Sequence, residues 1–263
     1  MLNLNQFFNL LEKYAPLEIS KKYVESGDYD NSGILVRSRE SVNKVLFSLD
    51  LSESVIKRAK YLGIDTIVTH HPAIYNPLKS LSVLDVNTNK IMSAVKMGLN
   101  VISMHLNLDA VDGGIDDCLR QALKGEKYKV LYPITDNAGY GREFSLSSIK
   151  FSDFIKSAKK ALSTNKVIAY GNKNAVLKTG ASFCGGGASH AIKYVYGGGK
   201  ADVIITSDMP HHVILETVES GKCVMLLTHY SAENYGFNKY FEKIKKETEE
   251  KVECYFYSDK RFM

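Results

Sequence analysis

The sequence predicts an α/β protein built as two Rossmann-like α/β lobes with mostly parallel sheets. Short β-branched apolar runs alternate with helical patterns, three βα units follow one another directly, and the alternation restarts near residue 128. With 263 residues, 44% of them hydrophobic and 24% charged, the chain can bury the core of one large domain or two smaller lobes. The expected division is a discontinuous lobe of residues 1–126 and 222–263, and a second lobe of residues 127–221.

The first helix is read from Leu4, Phe7, Phe8, Leu11 and Tyr14, and Pro16 stops it. The turn-rich Asp30-Asn31-Ser32-Gly33 leads into the apolar Ile34-Leu35-Val36. Val45 to Asp50 reads as a strand, Ser52 as the N-cap of a helix with Val55, Ile56, Ala59 and Leu62 on one face, and Gly63 as its end. Ile64 to Val68 is the second strand, and it runs into Thr69-His70-His71-Pro72. Ile91, Ala94, Val95 and Met97 mark the next helix, and Asn100 to Met104 the third strand. Three successive units of this kind imply a parallel, doubly wound sheet.

The second lobe begins with Val130-Leu131-Tyr132 as a strand, Gly139-Tyr140-Gly141 as a turn and Phe144 to Ile149 as another strand. A helix through Phe151, Ile155, Ala158 and Leu162 follows, then strands at Val167-Ile168-Ala169 and Ala175-Val176-Leu177. Cys184-Gly185-Gly186-Gly187 reads as a tight connection into a helix, because it lacks the spacing of the phosphate-binding glycine motifs. Ala201 to Thr206 and Cys223 to Thr228 are further buried strands.

Composition narrows the function classes. The net charge is +5, but lysines between 243 and 251 alternate with glutamates as on a solvated helix face, so a nucleic-acid partner is not expected. The cysteines Cys118, Cys184, Cys223 and Cys254 are far apart and form no C-x-x-C, and residues 1–6 carry no secretory signal pattern. Reduced thiols in a cytoplasmic protein are expected. No apolar run approaches the roughly 20 residues that span a bilayer, so no membrane partner is expected.

The chemistry-bearing residues gather where apolar strands end, the edge at which open α/β sheets bind ligands. An isolated His70-His71 pair is better explained by loop capping than by a metal, and further ligands elsewhere in the chain would decide otherwise. In extended backbone His105, Asn107 and Asp109 would share one face, although Asp109 could equally cap the next helix. His229 and Glu233 stand four apart at the start of a helix, which puts both on one face. His211-His212 follows Pro210, where capping is as plausible a role, and only His212 is kept as a site-lining candidate. Imidazoles with carboxylates and no thiolate suit zinc, iron, manganese or cobalt. So many donors exceed the set that one catalytic zinc takes and would accommodate two ions, an arrangement that serves hydrolysis. Metal loading would weaken in acid, because the ligands must be deprotonated.

The sequence resembles the NIF-three-like proteins, known in bacteria as GTP cyclohydrolase I type 2 homologues. The resemblance rests on Asp30 to Gly33, Thr69-His70-His71-Pro72, His105 to Ala110 with Gly113-Gly114, Gly139 to Arg142, Thr206 to His212 and His229 to Glu233, in that order along the chain. It implies two divalent ions held by His70, His71, Asp109, His229 and Glu233, with Glu233 bridging, His71 and Asp109 on one ion and His70 and His229 on the other. His105 would stand beside the ions and, with His212, is the candidate for a catalytic role. The resemblance further implies a homohexameric ring and a nucleotide-like small-molecule substrate, with GTP ring opening as the named reaction. A non-catalytic carrier or store of iron, and a regulatory ring protein with weak DNA contact, are the alternatives it leaves open.

Overall fold

The computed structural model describes residues 1–263. In chain order the elements are β1 (Leu2–Asn3), α1 (Leu4–Glu12), α2 (Leu17–Glu25), β2 (Gly33–Val36), β3 (Ser41–Val42), β4 (Lys44–Ser48), α3 (Glu53–Leu62), β5 (Thr66–Thr69), α4 (Val86–Lys96), β6 (Asn100–Ser103) and α5 (Leu106–Ala110). There follow α6 (Ile115–Ala122), β7 (Glu126–Thr135), β8 (Ala138–Lys150), α7 (Phe151–Ala161), β9 (Val167–Tyr170), β10 (Val176–Ser182), α8 (Ala188–Tyr196), β11 (Val203–Thr206), α9 (His211–Glu219), β12 (Cys223–Leu227), α10 (His229–Glu247) and β13 (Glu253–Phe256). Packing divides the chain into a first unit, Met1–Val111 with Phe237–Ser258, and a second, Asp112–Gly236 with Asp259–Met263.

The first unit is built on the sheet β13-β4-β5-β6-β2, parallel throughout except that β2 runs antiparallel to β6. Its strands are short and apolar because both faces are covered. Leu46, Ile67 and Val101 share one buried cluster with Val55 and Ala59 of α3 and Ile91 and Ala94 of α4. The neighbouring Phe47 lies in edge and tilted contact with Phe237, Tyr240 and Phe241 of α10. The caps are those the sequence indicates: Ser52 accepts from the Val55 amide, and Gly63 ends α3 in the left-handed region at φ 65°.

The second unit carries the sheet β7-β8-β10-β11-β12-β9, which is mixed where the sequence pattern points to mostly parallel pairing. β10, β11 and β12 are parallel, but β7 and β8 form an antiparallel hairpin, β8 is antiparallel to β10, and β9 to β12. The expected turn at Gly139-Tyr140-Gly141 lies inside β8. Its glycines answer close approach instead, since a Cβ on Gly139 would stand 2.5 Å from the Tyr132 carbonyl oxygen across the hairpin. β12 pairs with β11, so Cys223 to Gly236 packs with the second unit rather than with the first. α6 packs on β8, which puts residues 112–126 there as well.

Charge is buried in this unit. Arg142 donates from Nε to Asp117 Oδ1 at 2.8 Å, and from Nη1 to Asp116 Oδ2 at 3.3 Å and to the Gly139 carbonyl at 2.8 Å. All three side chains are almost wholly excluded from solvent. Burial works against the Arg142 cation, and Asp116 and Asp117 more than offset it. All four cysteines are free thiols, and no helix is long and apolar enough to cross a membrane.

Replacing Arg142 with Leu removes the buried cation that Asp116 and Asp117 share, leaving Arg120 Nε 3.5 Å from Asp117 Oδ1. Removing one partner of a buried ion pair costs about 3–5 kcal/mol. Arg142→Leu is therefore expected to lower the urea midpoint sharply, while Lys156→Ala, in an exposed pair with Asp153, shifts it by less than about 0.5 kcal/mol.

Candidate metal centre

β5 ends at Thr69, and the next residues are fixed in detail. Thr69 Oγ1 donates to the His71 carbonyl at 2.8 Å and meets Ser103 Oγ at 2.7 Å, while the His71 amide donates to the Leu49 carbonyl at 2.9 Å. These bonds turn the chain out of the strand and set the two rings 4.9 Å apart between centroids. His70 is wholly buried; its Nδ1 lies 2.8 Å from the Met104 carbonyl oxygen, which has no proton of its own. Nδ1 must then carry a hydrogen, and in the neutral imidazole that tautomer has its lone pair on Nε2. That Nε2 lies 3.4 Å from Asp109 Oδ1. His71 repeats the arrangement, with Nδ1 2.8 Å from Asp50 Oδ1.

β6 does not continue into the extended His105-Asn107-Asp109 face expected from alternation. After Met104 the backbone enters α5, where the Asp109 amide donates to the His105 carbonyl at 3.0 Å. Helical spacing brings His105 and Asp109 to one side and separates Asn107, whose Nδ2 donates to the Ala15 carbonyl at 2.6 Å and whose Oδ1 accepts from Ser32 at 3.0 Å. His70, His105 and Asp109 each offer a donor atom, and these atoms lie within 4.8 Å of one another.

His105 is held by the Asp30 loop. Its Nδ1 stands 2.7 Å from Asp30 Oδ1, and its amide donates to Ser32 Oγ at 3.0 Å. Asp30 Oδ2 accepts from Ser20 and from Ser32, the latter at 2.7 Å. Burial pushes the Asp30 carboxyl up, but His105 and the two serines outweigh it and hold it below its ordinary value.

In the second unit, His229 opens α10 and its Nε2 lies 3.1 Å from Glu233 Oε1, as the four-residue spacing requires. Its Nδ1 stands 3.4 Å from Asp208 Oδ2, on a residue in the left-handed region at φ 59°. Glu233 is only 2% exposed, and burial of a carboxylate is costly unless a charged or hydrogen-bonding group faces it, as His229 does here. His212 lies exposed in the first turn of α9 and belongs to neither cluster.

The residues fit a divalent metal. Four imidazoles, His70, His71, His105 and His229, each turn Nδ1 to an oxygen, from Met104, Asp50, Asp30 and Asp208 respectively. Metal-binding histidines are oriented in this way by the groups behind them, and carboxylates stand close to the other nitrogen of His70 and of His229.

The profile of Duf34/NIF3 (NGG1p interacting factor 3) matches residues 2–261. The chain belongs to the DUF34/NIF3 family. It is 30% identical over 259 residues to the GTP cyclohydrolase 1 type 2 homolog of Clostridium perfringens, covering 96% of this chain and 95% of that one. It is 31% identical over 240 residues to the homolog of the same description from Methanocaldococcus jannaschii, covering 90% and 92%. Among solved structures, reduced HcgD from Methanocaldococcus jannaschii is 28% identical, with a TM-score of 0.81 over 97% of each chain. A Bacillus cereus protein related to NIF3 shares the fold with a TM-score of 0.84 over 98% of this chain and 97% of its own, at 18% identity.

In this family member three residues behind the histidines are not among the candidates the sequence offers, although Asp30 and Asp208 lie within stretches that carry the family resemblance. Asp30 sits in a stretch that reads as a turn, Asp208 in a helix approach, and Asp50 two residues past β4, where its place beyond a strand end is the available signal.

Because the Asp30 carboxyl is depressed in the folded protein, its contribution to stability is complete above the unfolded value of about 3.9 and is lost as pH falls through the folded value. Asp30→Asn is expected to cost on the order of 1–3 kcal/mol at pH 7. In urea unfolding the gap from the unsubstituted protein should close below about pH 4.

Proposed function

We propose that this chain is a metal-dependent hydrolase in which His70, His71, Asp109, His229 and Glu233 are the ligands of two divalent ions. Its substrate is a nucleotide or a related phosphorylated, ring-containing small molecule. The observation that carries the reading is the shared orientation of the imidazoles, each anchored through Nδ1, with the carboxylates of Asp109 and Glu233 beside Nε2 of His70 and His229. The donor set of imidazole and carboxylate suits zinc, iron, manganese or cobalt. Relatives named GTP cyclohydrolase 1 type 2 homolog support a purine nucleotide as the first substrate to try.

When bound, the ions supply Lewis acidity toward a phosphoryl or carbonyl oxygen and a reactive nucleophile from water near neutral pH. The protein's own groups do the rest. The Met104 carbonyl and Asp50 hold His70 and His71 in the tautomer that ligates. His105, with Nδ1 on Asp30 and its ring 5.3 Å from that of His70, would hold or move a proton at Nε2.

Protein loaded in turn with zinc, manganese, cobalt and ferrous iron, then offered GTP and a panel of nucleotides and phosphoesters, tests the reading. Metal analysis should find two ions per chain, and one loaded form should turn over a substrate. Asp109→Ala should lower metal affinity by more than about tenfold and abolish turnover in a folded protein. Retention of both ions with no turnover of any compound would leave metal carriage or storage as the function.

A further inference from the structure

We infer that the Cys184–Gly187 turn is a positioning wall for the Glu233 carboxylate, and that Gly185 holds it in place by having no side chain. The inference rests on Glu233 being a metal ligand. A Cβ built on Gly185 would stand 1.8 Å from Glu233 Oε1, 2.9 Å from its Cδ and 3.2 Å from His229 Nε2. The carboxylate therefore lies against the glycine Cα, on the side from which His229 Nε2 reaches the same oxygen at 3.1 Å. Gly185 also sits at φ +50°, where a side chain is disfavoured in any case.

Neither partner of this contact can give way. Glu233 is buried, so its carboxylate cannot swing into solvent. The turn is pinned from behind: the Cys184 amide donates to Asp116 Oδ1 at 3.3 Å, and the Tyr140 hydroxyl donates to the Cys184 carbonyl. Asp116 is itself fixed through Oδ2, which accepts from the Gly141 amide at 2.6 Å and from Arg142 Nη1 at 3.3 Å. At Gly187 a Cβ would meet the Tyr140 hydroxyl oxygen at 2.5 Å and the Phe183 Cβ at 2.6 Å, so the turn has no room to retreat on that side. The buried ion cluster of Arg142 and Asp116 thus ends, two contacts later, on the carboxylate that would hold a cation. None of the turn's residues has to be a ligand for this to work. Their part is to leave Glu233 one position and to deny it others.

Gly186, the next residue, supplies the contrast. It is exposed, and a Cβ there would meet only His229 Cε1 at 3.6 Å, an ordinary contact. Gly198, in the same unit, has φ +77° and nothing within 4 Å of a built Cβ, so it carries the backbone penalty without the contact.

The test is zinc and cobalt(II) titration of the full chain and its Gly185→Ala, Gly186→Ala and Gly198→Ala variants, followed by calorimetry and by the cobalt visible spectrum. Gly185→Ala should lose tenfold or more in affinity for an ion and change the cobalt spectrum, while Gly186→Ala and Gly198→Ala match the unsubstituted protein. Shortening the clashing side chain should help: Glu233→Asp in the Gly185→Ala background should lose less than the product of the two single losses. If Gly185→Ala does not fold, Tyr140→Phe, which frees the Cys184 carbonyl without adding an atom, should still weaken the ion several-fold. An unsubstituted protein that binds no ion removes the metal reading and this inference with it. Binding by the unsubstituted protein together with unchanged affinity in Gly185→Ala, or in Tyr140→Phe where that variant must serve, overturns this inference alone.

Discussion

The hydrogen bond between an imidazole Nδ1 and an oxygen acceptor is the interaction on which the rest of the site depends. An unanchored histidine on a loop offers either nitrogen in any orientation, and ordering it costs conformational entropy at the moment of binding. Here the Met104 carbonyl and the carboxylates of Asp50, Asp30 and Asp208 settle tautomer and ring direction beforehand. The Met104 contact is the most constraining of these, because a backbone carbonyl can only accept, and because His70 is wholly buried around it.

The fold serves those anchors. In the first unit the parallel ladder of β4, β5 and β6 brings Asp50, His70 and Met104 to one edge of the sheet, each just past the end of its own strand. Register does the placing: Phe47 opposes Val68 and Val68 opposes Ile102, so the residues beyond them arrive together. In the second unit the same logic applies to β10, β11 and β12, whose ends lead to Cys184, Asp208 and His229. There the supporting groups are charged and buried rather than apolar, and Arg142, Asp116 and Asp117 fix the turn that lies against Glu233.

Much of this was legible in the residues. The β-branched runs ending in His70 and His229 identify buried strands and strand-end donors, because period and composition are local properties. The segment after Met104 was not legible as helix, since five residues favour neither period strongly and Asn107 settles the matter through bonds to Ala15 and Ser32, far away in sequence. The glycines flanking Tyr140 read as a turn for a similar reason: their use in close strand contact is visible only once Tyr132 is placed opposite. Asp30, Asp50 and Asp208 are ordinary loop carboxylates until the rings they hold are in place.

The state of the ring nitrogens can be measured directly. Long-range 1H–15N correlation spectra of the metal-free protein, followed through a zinc titration, report for each histidine which nitrogen carries the proton and which meets the ion. For His70, a protonated Nδ1 and an unprotonated Nε2 are expected before metal, with the Nε2 resonance alone moving to a metal-bound shift on addition of zinc. A proton on Nε2 of His70 in the metal-free protein, or a zinc-induced shift at Nδ1, would contradict the anchoring that organises the site.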